Sequence, residues 1–487
     1  MPFPTICPMP TFRCDLAQTG APLPHVWSHT VGSGHATLAL RADWQAQLRR
    51  CHEELGVHHV RFHGLLNDDI GTLVDHAGEL VDSFFNADQI MDFLVSIGMR
   101  PFVELSLMPE ALASGRKTVF HYRGNVTPPK DVEAWGGLIE RLARHWVERY
   151  GAEEVRQWYF EVWNEPNLDH FWTGSQADYF ELYRATADAL KRADPGLRVG
   201  GPATAKNEWI EELVAFCEAE GLPLDFVTTH HYPTDAFGAP DDDTRGQLAA
   251  GTRGVLREQA LDAARRAGGR PLYYTEWNAS SNPFYAPHDR PYAAAFVMKS
   301  FLDVAGVVEG YSFWTFTDLF EEVYFDSTPF RGKFGLLTIH GVAKPTYRAV
   351  QLLHRAGTER LRVDGMHPTV DRWVTRHDDG RLTVLLTNHA LPEHAIEAAR
   401  VRLVLDGAPE PTSLTAERID EDHANARRHW ETMGEPAYLS AEQVEALHAA
   451  SELVPEPQAW AREGEALVVE LDLPPHAVAA LTFTFDA

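Results

Sequence analysis

One unit recurs along most of this chain: an amphipathic helical stretch, a glycine or an Asp-Pro-Gly turn, then a short apolar run. Trp44–Leu55 carries apolar side chains at helical spacing, Gly56 suits a left-handed C-terminal cap, and Val57–Phe62 reads as a strand. The unit returns as Ala87–Ile97, Gly98 and Pro101–Leu107, and again as Val132–Tyr150, Gly151 and Trp158–Trp163. Tyr179–Arg192 leads through Asp194-Pro195-Gly196 to Leu197–Gly200, and Trp209–Glu220 leads through Gly221 to Phe226–His230. Val255–Ala267 and Gly268 precede a strand from Leu272, Tyr292–Val307 precedes Tyr311–Phe316, and Thr346–Ala356 is a last helix. With an opening strand expected near His25–His29, eight strands alternate with eight helices. Such alternation forces a parallel sheet with its helices outside. Eight units in about 330 residues favour a closed (β/α)8 TIM barrel over an open doubly wound sheet. No Gly-x-Gly-x-x-Gly or Walker-type loop opens any helix, which removes the usual nucleotide cradles.

The texture changes after residue 356. Trp373–Arg376, the turn Asp378-Asp379-Gly380 and Leu382–Asn388 form a hairpin pattern, and Val401–Leu405, Ala466–Leu471 and Val478–Phe485 read as further strands. A charged stretch, Ile419–Arg428, and a helical one, Ser440–Ser451, lie between them. The expected organisation is α/β: a barrel over residues 21–356, an accessory all-β sandwich over 357–487, and an N-terminal strand near Thr11–Ala17, within residues 1–20, joining that sandwich.

Charge and cysteine usage narrow the function classes. The net charge of −27 opposes phosphate backbones and anionic membranes, so neither a nucleic acid nor a membrane is an expected partner. Cys7, Cys14, Cys51 and Cys217 have no paired spacing, and the start of the chain has no basic-then-apolar leader pattern, so the expected compartment is the cytoplasm. His52-Glu53-Glu54 lacks a histidine four residues on, and His25 and His29 are not a His-x-His pair, so no metal or other cofactor is expected.

Two strands end alike. Trp158–Trp163 runs into Asn164-Glu165-Pro166, and Leu272–Thr275 runs into Glu276-Trp277-Asn278. The carboxyl ends of barrel strands carry the chemistry of that fold. Two carboxylates brought together in a partly desolvated mouth can have their pKa values driven apart, as glycoside hydrolysis requires: one protonated to assist the leaving oxygen, one free to attack or to activate water. Arg61 and His63 share strand parity and point into the barrel, as do His230 and Tyr232, whereas His231 points away. Trp277 and Trp314 are candidates for a platform stacking on sugar C–H faces.

These residues resemble the strand-4 and strand-7 signatures of the retaining (β/α)8 glycoside hydrolases. Arg61-Phe62-His63-Gly64, Thr229-His230-His231-Tyr232, Phe313–Glu322 and Arg418–His423 narrow the resemblance to glycoside hydrolase family 39, whose members are β-xylosidases and α-L-iduronidases. It implies Glu165 as acid/base, Glu276 as nucleophile and Asn164 as ligand of the sugar 2-hydroxyl. It further implies Arg61 and Tyr232 as supports of the nucleophile, and His63, His230, Trp314 and Glu322 as the substrate pocket. The expectation is a retaining 1,4-β-D-xylosidase acting on xylo-oligosaccharides with carboxyls about 5–5.5 Å apart. An α-L-iduronidase is the alternative in the same fold; a non-catalytic carbohydrate-binding protein and a metal-dependent barrel hydrolase are the lesser ones. Oligomeric state is left open.

Overall fold

The computed structural model describes residues 9–235 and 242–486. Eight strands close a parallel barrel: β1 Thr30–His35, β2 His59–His63, β3 Arg100–Leu105, β4 Tyr159–Val162, β5 Arg198–Thr204, β6 Phe226–His230, β7 Leu272–Trp277 and β8 Gly310–Phe313. The closing pair is β8 to β1, through Phe313 and Val31. Around it run α1 Ala42–Leu55, α2 Phe85–Ser96, α3 Val132–Tyr150, α4 Gln176–Ala193, α5 Ile210–Glu220, α6 Val255–Arg266, α7 Pro291–Val304 and α8 Pro345–His354. Their ends follow from local chemistry. Gly56 (φ 66°) caps α1 in the left-handed region, Asp131 accepts two N–H bonds at the start of α3, and Ser175 with Asp178 forms a capping box on α4.

The opening strand is displaced from His25–His29 to Thr30–His35, and Val26–Ser28 is a 3-10 turn instead. Its glycines hid it from a search for apolar, β-branched runs. Gly32 is needed for packing: a Cβ there would lie 2.5 Å from the Trp314 ring. A further addition is the exposed hairpin Leu73–His76 and Glu79–Asp82 between β2 and α2.

The barrel interior is layered. Phe102, Tyr159, Phe226 and Tyr273 plug its amino-terminal end together with His29 and His59; Phe102 and Tyr159 stack at 4.8 Å. Each such ring buries about 150–250 Å². One step higher on the same strands come Arg61, Glu104, Glu161 and Thr275, so the interior changes from aromatic to ionic towards the mouth. A β-bulge in β7 then alters the inside–outside alternation: Tyr274 pairs with Tyr311 and Trp277 with Phe313, three residues against two. Thr275 and Glu276 therefore both face inward, and Trp277 faces out onto Phe301 and Tyr311.

Beyond the barrel, two sheets stack. One has the order Thr11–Asp15, Ala399–Asp406, Ala466–Leu473, Ala461–Glu463; in the other, Glu359–Leu361, Val370–Arg376, Leu382–Asn388, Val478–Phe485 and Pro411–Ile419 run side by side between short edge strands. Thr11–Asp15 pairs parallel to Ala399–Asp406 and buries Phe12 and Cys14 between the sheets. The hairpin turns at Gly380 (φ 84°), and the helix Ala441–Ala450 begins at a Ser440–Gln443 capping box. Trp373, Leu385, Val478 and Ala480, on the outer face of the second sheet, join the barrel's own core. Cys14, Cys51 and Cys217 are free and buried, and Cys7 lies outside the described residues. No helix among the described residues is long and apolar enough to cross a membrane.

Candidate active site

Strand β4 ends at Val162, and the chain turns through two left-handed residues, Trp163 (φ 70°) and Glu165 (φ 42°). Each costs about 1–3 kcal/mol in a non-glycine residue, a strain sustained by tight surroundings. The Trp163 indole N–H donates to the Phe171 carbonyl, and the Glu165 amide donates to the Ala203 carbonyl at 2.8 Å. The Glu165 carboxyl is thereby aimed into a cavity of about 800 Å³ at the carboxyl end of the barrel. Glu276 enters it from β7 by way of the bulge. One oxygen of Glu165, one oxygen of Glu276 and a ring nitrogen of His230 all lie within 4.8 Å of one another.

The two carboxyls sit in opposite settings. Burial pushes Glu165 up to about 7, against the pull of His63 and Arg61, so it holds a proton near neutrality. Glu276 receives a hydrogen bond on each oxygen: Arg61 Nη1 donates to Oε1 at 2.8 Å and the Tyr232 hydroxyl donates to Oε2 at 3.0 Å. Arg61 is fully buried and anchors the floor. Its Nε donates to Glu161 Oε2 at 2.5 Å, and its Nη2 donates to Asn164 Oδ1 at 2.9 Å and lies 2.8 Å from Glu104 Oε2. Burial opposes its charge, but Glu104, Glu161 and Glu276 outweigh that cost and raise its pKa.

His63 lies between Glu104 Oε2 (2.7 Å from Nδ1) and the pair Glu276 and Glu322 (3.6 and 3.5 Å from Nε2). Burial would lower it, yet these carboxylates raise it to about 9 and make it a cation in the pocket. Glu322 is driven the other way: burial first, then the charges of Glu276 and Glu165, push its carboxyl up to about 8. Its Oε1 is buried without a hydrogen-bond partner among the described residues. Burial lowers His230 to about 4, so its ring is neutral.

Glu165, Glu276, Asn164, His63, His230, Tyr232, Trp314 and Glu322 all line this one cavity, and Arg61 lies directly beneath it. Trp277 does not reach it, because the bulge sends that ring outward into the packing against α7. Glu321 turns aside to His35, 3.3 Å away. His230 contributes ring surface rather than nitrogen, since Nδ1 is 2.9 Å from Glu165 Oε1 and Nε2 is 3.0 Å from Thr275 Oγ1. His230 Nδ1 lies 2.9 Å from Glu165 Oε1 but 3.8 Å from Glu276 Oε2, an uneven spacing for the about 3.4 Å edges of a tetrahedral zinc site, and the guanidinium on Glu276 already supplies a cation there. Of the other histidines weighed for metal, His25 stacks on Trp27, His29 sits in the barrel plug, and His52 bonds the Val57 carbonyl.

Glu104, Glu161 and Thr275 are site residues that sequence reasoning passed over. Their signal was parity: each shares its strand's inward face with an aromatic plug residue two positions earlier, where a carboxylate or hydroxyl needs a buried partner. Phe120 and Phe171, whose rings lie 5.4 Å apart on the cavity wall, come from loops and left no periodic trace.

The family model described as glycosyl hydrolases family 39 matches residues 11–467. A β-xylosidase of Caldicellulosiruptor saccharolyticus is 49% identical, the match covering 94% of each chain. The crystal structure of a GH39 enzyme from Xanthomonas axonopodis pv. citri superposes with a TM-score of 0.89 at 34% identity, covering 99% of both chains. An α-L-iduronidase of Canis lupus familiaris is 31% identical over a much shorter match, 36% of this chain and 27% of its own.

Proposed function

The chain belongs to glycosyl hydrolases family 39, and on that footing we propose that it is a retaining β-xylosidase releasing xylose from the non-reducing end of xylo-oligosaccharides. The observation that carries the mechanism is the separation of the two glutamates: oxygens within 4.8 Å suit the retaining distance and leave no room for the water an inverting pair needs. In this reading Glu165 gives its proton to the glycosidic oxygen while Glu276 attacks the anomeric carbon. The C–O bond breaks with its electron pair going to the departing sugar, and a glycosyl ester forms on Glu276. Water then attacks the same carbon, Glu165 takes the water's proton, and Glu276 leaves as carboxylate.

The remaining pocket residues suit a neutral pentose. With Oδ1 tied to Arg61, the Asn164 amide N–H2 is left for the sugar 2-hydroxyl. Glu322 Oε1, 3.5 Å from the His63 ring but without a hydrogen bond among the described residues, calls for a ring hydroxyl, and Trp314, 4.8 Å from His63, offers an aromatic face. Iduronate would need a cation for its carboxylate. Arg61 and His63 are already committed to Glu104, Glu161 and Glu276, and Lys206 is 3.1 Å from Asp235. The similarity to a β-xylosidase over nearly the whole chain supports the same glycone.

Hydrolysis of aryl β-D-xyloside and aryl α-L-iduronide, monitored beside Glu276→Ala and Glu165→Ala, tests the proposal. The expected result is xyloside turnover that collapses with Glu276→Ala and yields the β-anomer of xylose first by NMR. Turnover of the iduronide alone overturns the substrate, and α-xylose as first product overturns retention.

A further inference from the structure

A chain of hydrogen bonds leaves the pocket behind His230. Glu161 accepts on both oxygens: Arg61 Nε donates to Oε2, and the Thr275 hydroxyl donates to Oε1 at 2.7 Å. A carboxylate paired with a guanidinium has no proton to give, so the single hydroxyl proton of Thr275 is spent on Glu161. Thr275 Oγ1 therefore meets His230 Nε2, 3.0 Å away, only as an acceptor. The neutral ring then carries its proton on Nε2 and turns a lone pair, on Nδ1, towards Glu165 Oε1 at 2.9 Å.

We propose that Glu161 and Thr275 are positioning residues that fix the His230 tautomer, so that His230 acts as an acceptor which holds Glu165 in its protonated form until a glycosidic oxygen competes for the proton. The inference rests on Glu165 being the acid/base. A lone pair facing a carboxyl favours the neutral acid and disfavours the anion. The same arrangement serves both half-reactions. Before bond cleavage it keeps the acid loaded. Afterwards the Glu165 anion faces a nitrogen that cannot donate, which makes it a stronger base towards the incoming water. The opposite tautomer would donate to Glu165, stabilise its anion, and leave it a poor acid and a poor base at neutral pH.

Other groups also face Glu165. Arg61 and His63 of β2 and His170 of the loop after β4 favour its anion, whereas Glu104 of β3, Glu276 of β7 and Glu322 after β8 oppose it; the Tyr232 hydroxyl is turned to Glu276. Thr275 is separated from Glu165 by the imidazole, so its removal leaves these charges in place; besides the hydrogen bond lost to Glu161, it changes which way the ring is protonated.

Two measurements on the full-length protein test this. In 15N-histidine NMR, the His230 resonance, identified by its absence from His230→Gln, is expected to show a protonated Nε2 and a bare Nδ1. A protonated Nδ1 overturns the proposal, and this readout needs no variant at Thr275 or Glu161. In pH profiles of kcat/KM on a xyloside with a poor leaving group, Thr275→Val is expected to move the basic limb down by about one pH unit. Thr275→Ser, which keeps the hydroxyl, is expected to return it. A limb that stays in place in Thr275→Val sinks the relay. Persistence of the limb in Glu165→Ala sinks instead the assignment of Glu165, so the two failures are told apart.

Discussion

Removing one hydroxyl, in Tyr232→Phe, separates the two half-reactions. The substitution is isosteric on a half-buried ring, so it opens no cavity; what it deletes is the 3.0 Å donation to Glu276 Oε2. A hydrogen bond to a charged acceptor is worth about 1.5–3 kcal/mol. That bond weakens as Glu276 attacks and becomes an ester, and strengthens as Glu276 is expelled as carboxylate in the second step. The loss therefore falls mainly on deglycosylation and amounts to about 10- to 150-fold in kcat. With a dinitrophenyl β-D-xyloside, whose leaving group needs little acid assistance, kcat/KM changes far less than kcat. Stopped-flow traces then show a burst equal to the enzyme concentration, and mass spectrometry shows the glycosyl-enzyme accumulating. Equal losses in kcat and kcat/KM without a burst would mean that Tyr232 does not support the departing nucleophile.

Glu165→Ala removes the acid and costs about 10²–10⁴-fold on poor leaving groups and much less on dinitrophenyl xyloside, with azide restoring turnover as the β-xylosyl azide; a loss independent of leaving group counts against the assignment. Activity falls as pH rises through about 7, where Glu165 loses its proton, and a basic limb far above that value contradicts the observed burial. Glu322 adds a stability effect. Its folded pKa of about 8 exceeds the unfolded value near 4.5, so the folded state binds the extra proton and stability declines from about pH 4.5 through pH 8. Glu322→Gln flattens that decline, is the more stable protein at pH 8–9 by on the order of 1–4 kcal/mol, and loses xyloside affinity; melting curves across pH that stay parallel to wild type disprove it. The two tryptophans diverge in one readout: both are buried, so Trp277→Ala and Trp314→Ala each cost about 3–5 kcal/mol of stability, but only Trp314→Ala, which lines the cavity, also raises KM on xylo-oligosaccharides, and urea titrations beside kinetics distinguish them.

What was legible in the sequence followed from period and punctuation. Helical spacing ended by glycine marked α1, α3, α5 and α6, and apolar runs marked β2 to β8, because burial of one helix face and of both faces of a parallel strand leaves a pattern in neighbouring residues. β1 left none, since Gly32 and Gly34 are small to admit Trp314 and Phe320. Glu165 and Glu276 were legible as carboxylates closing aromatic strands, and resemblance at quoted motifs extended the site to Arg61, His63, Asn164, His230, Tyr232, Trp314 and Glu322.

Local order along the chain was enough to read the barrel and to single out the two carboxylates that close β4 and β7 as candidates for the chemistry. Only the tertiary structure decided which side of a strand each residue serves and what charge it bears. The β7 bulge turned Glu276 inward and Trp277 outward, against simple alternation, because its register is set by the strands on either side. Glu104 and Glu161 became partners of Arg61 across the barrel, from residues 43 and 100 positions away along the chain. Protonation follows from such meetings. A glutamate's pKa is fixed by the water excluded around it and the charges within a few ångströms, and both are properties of the packed barrel.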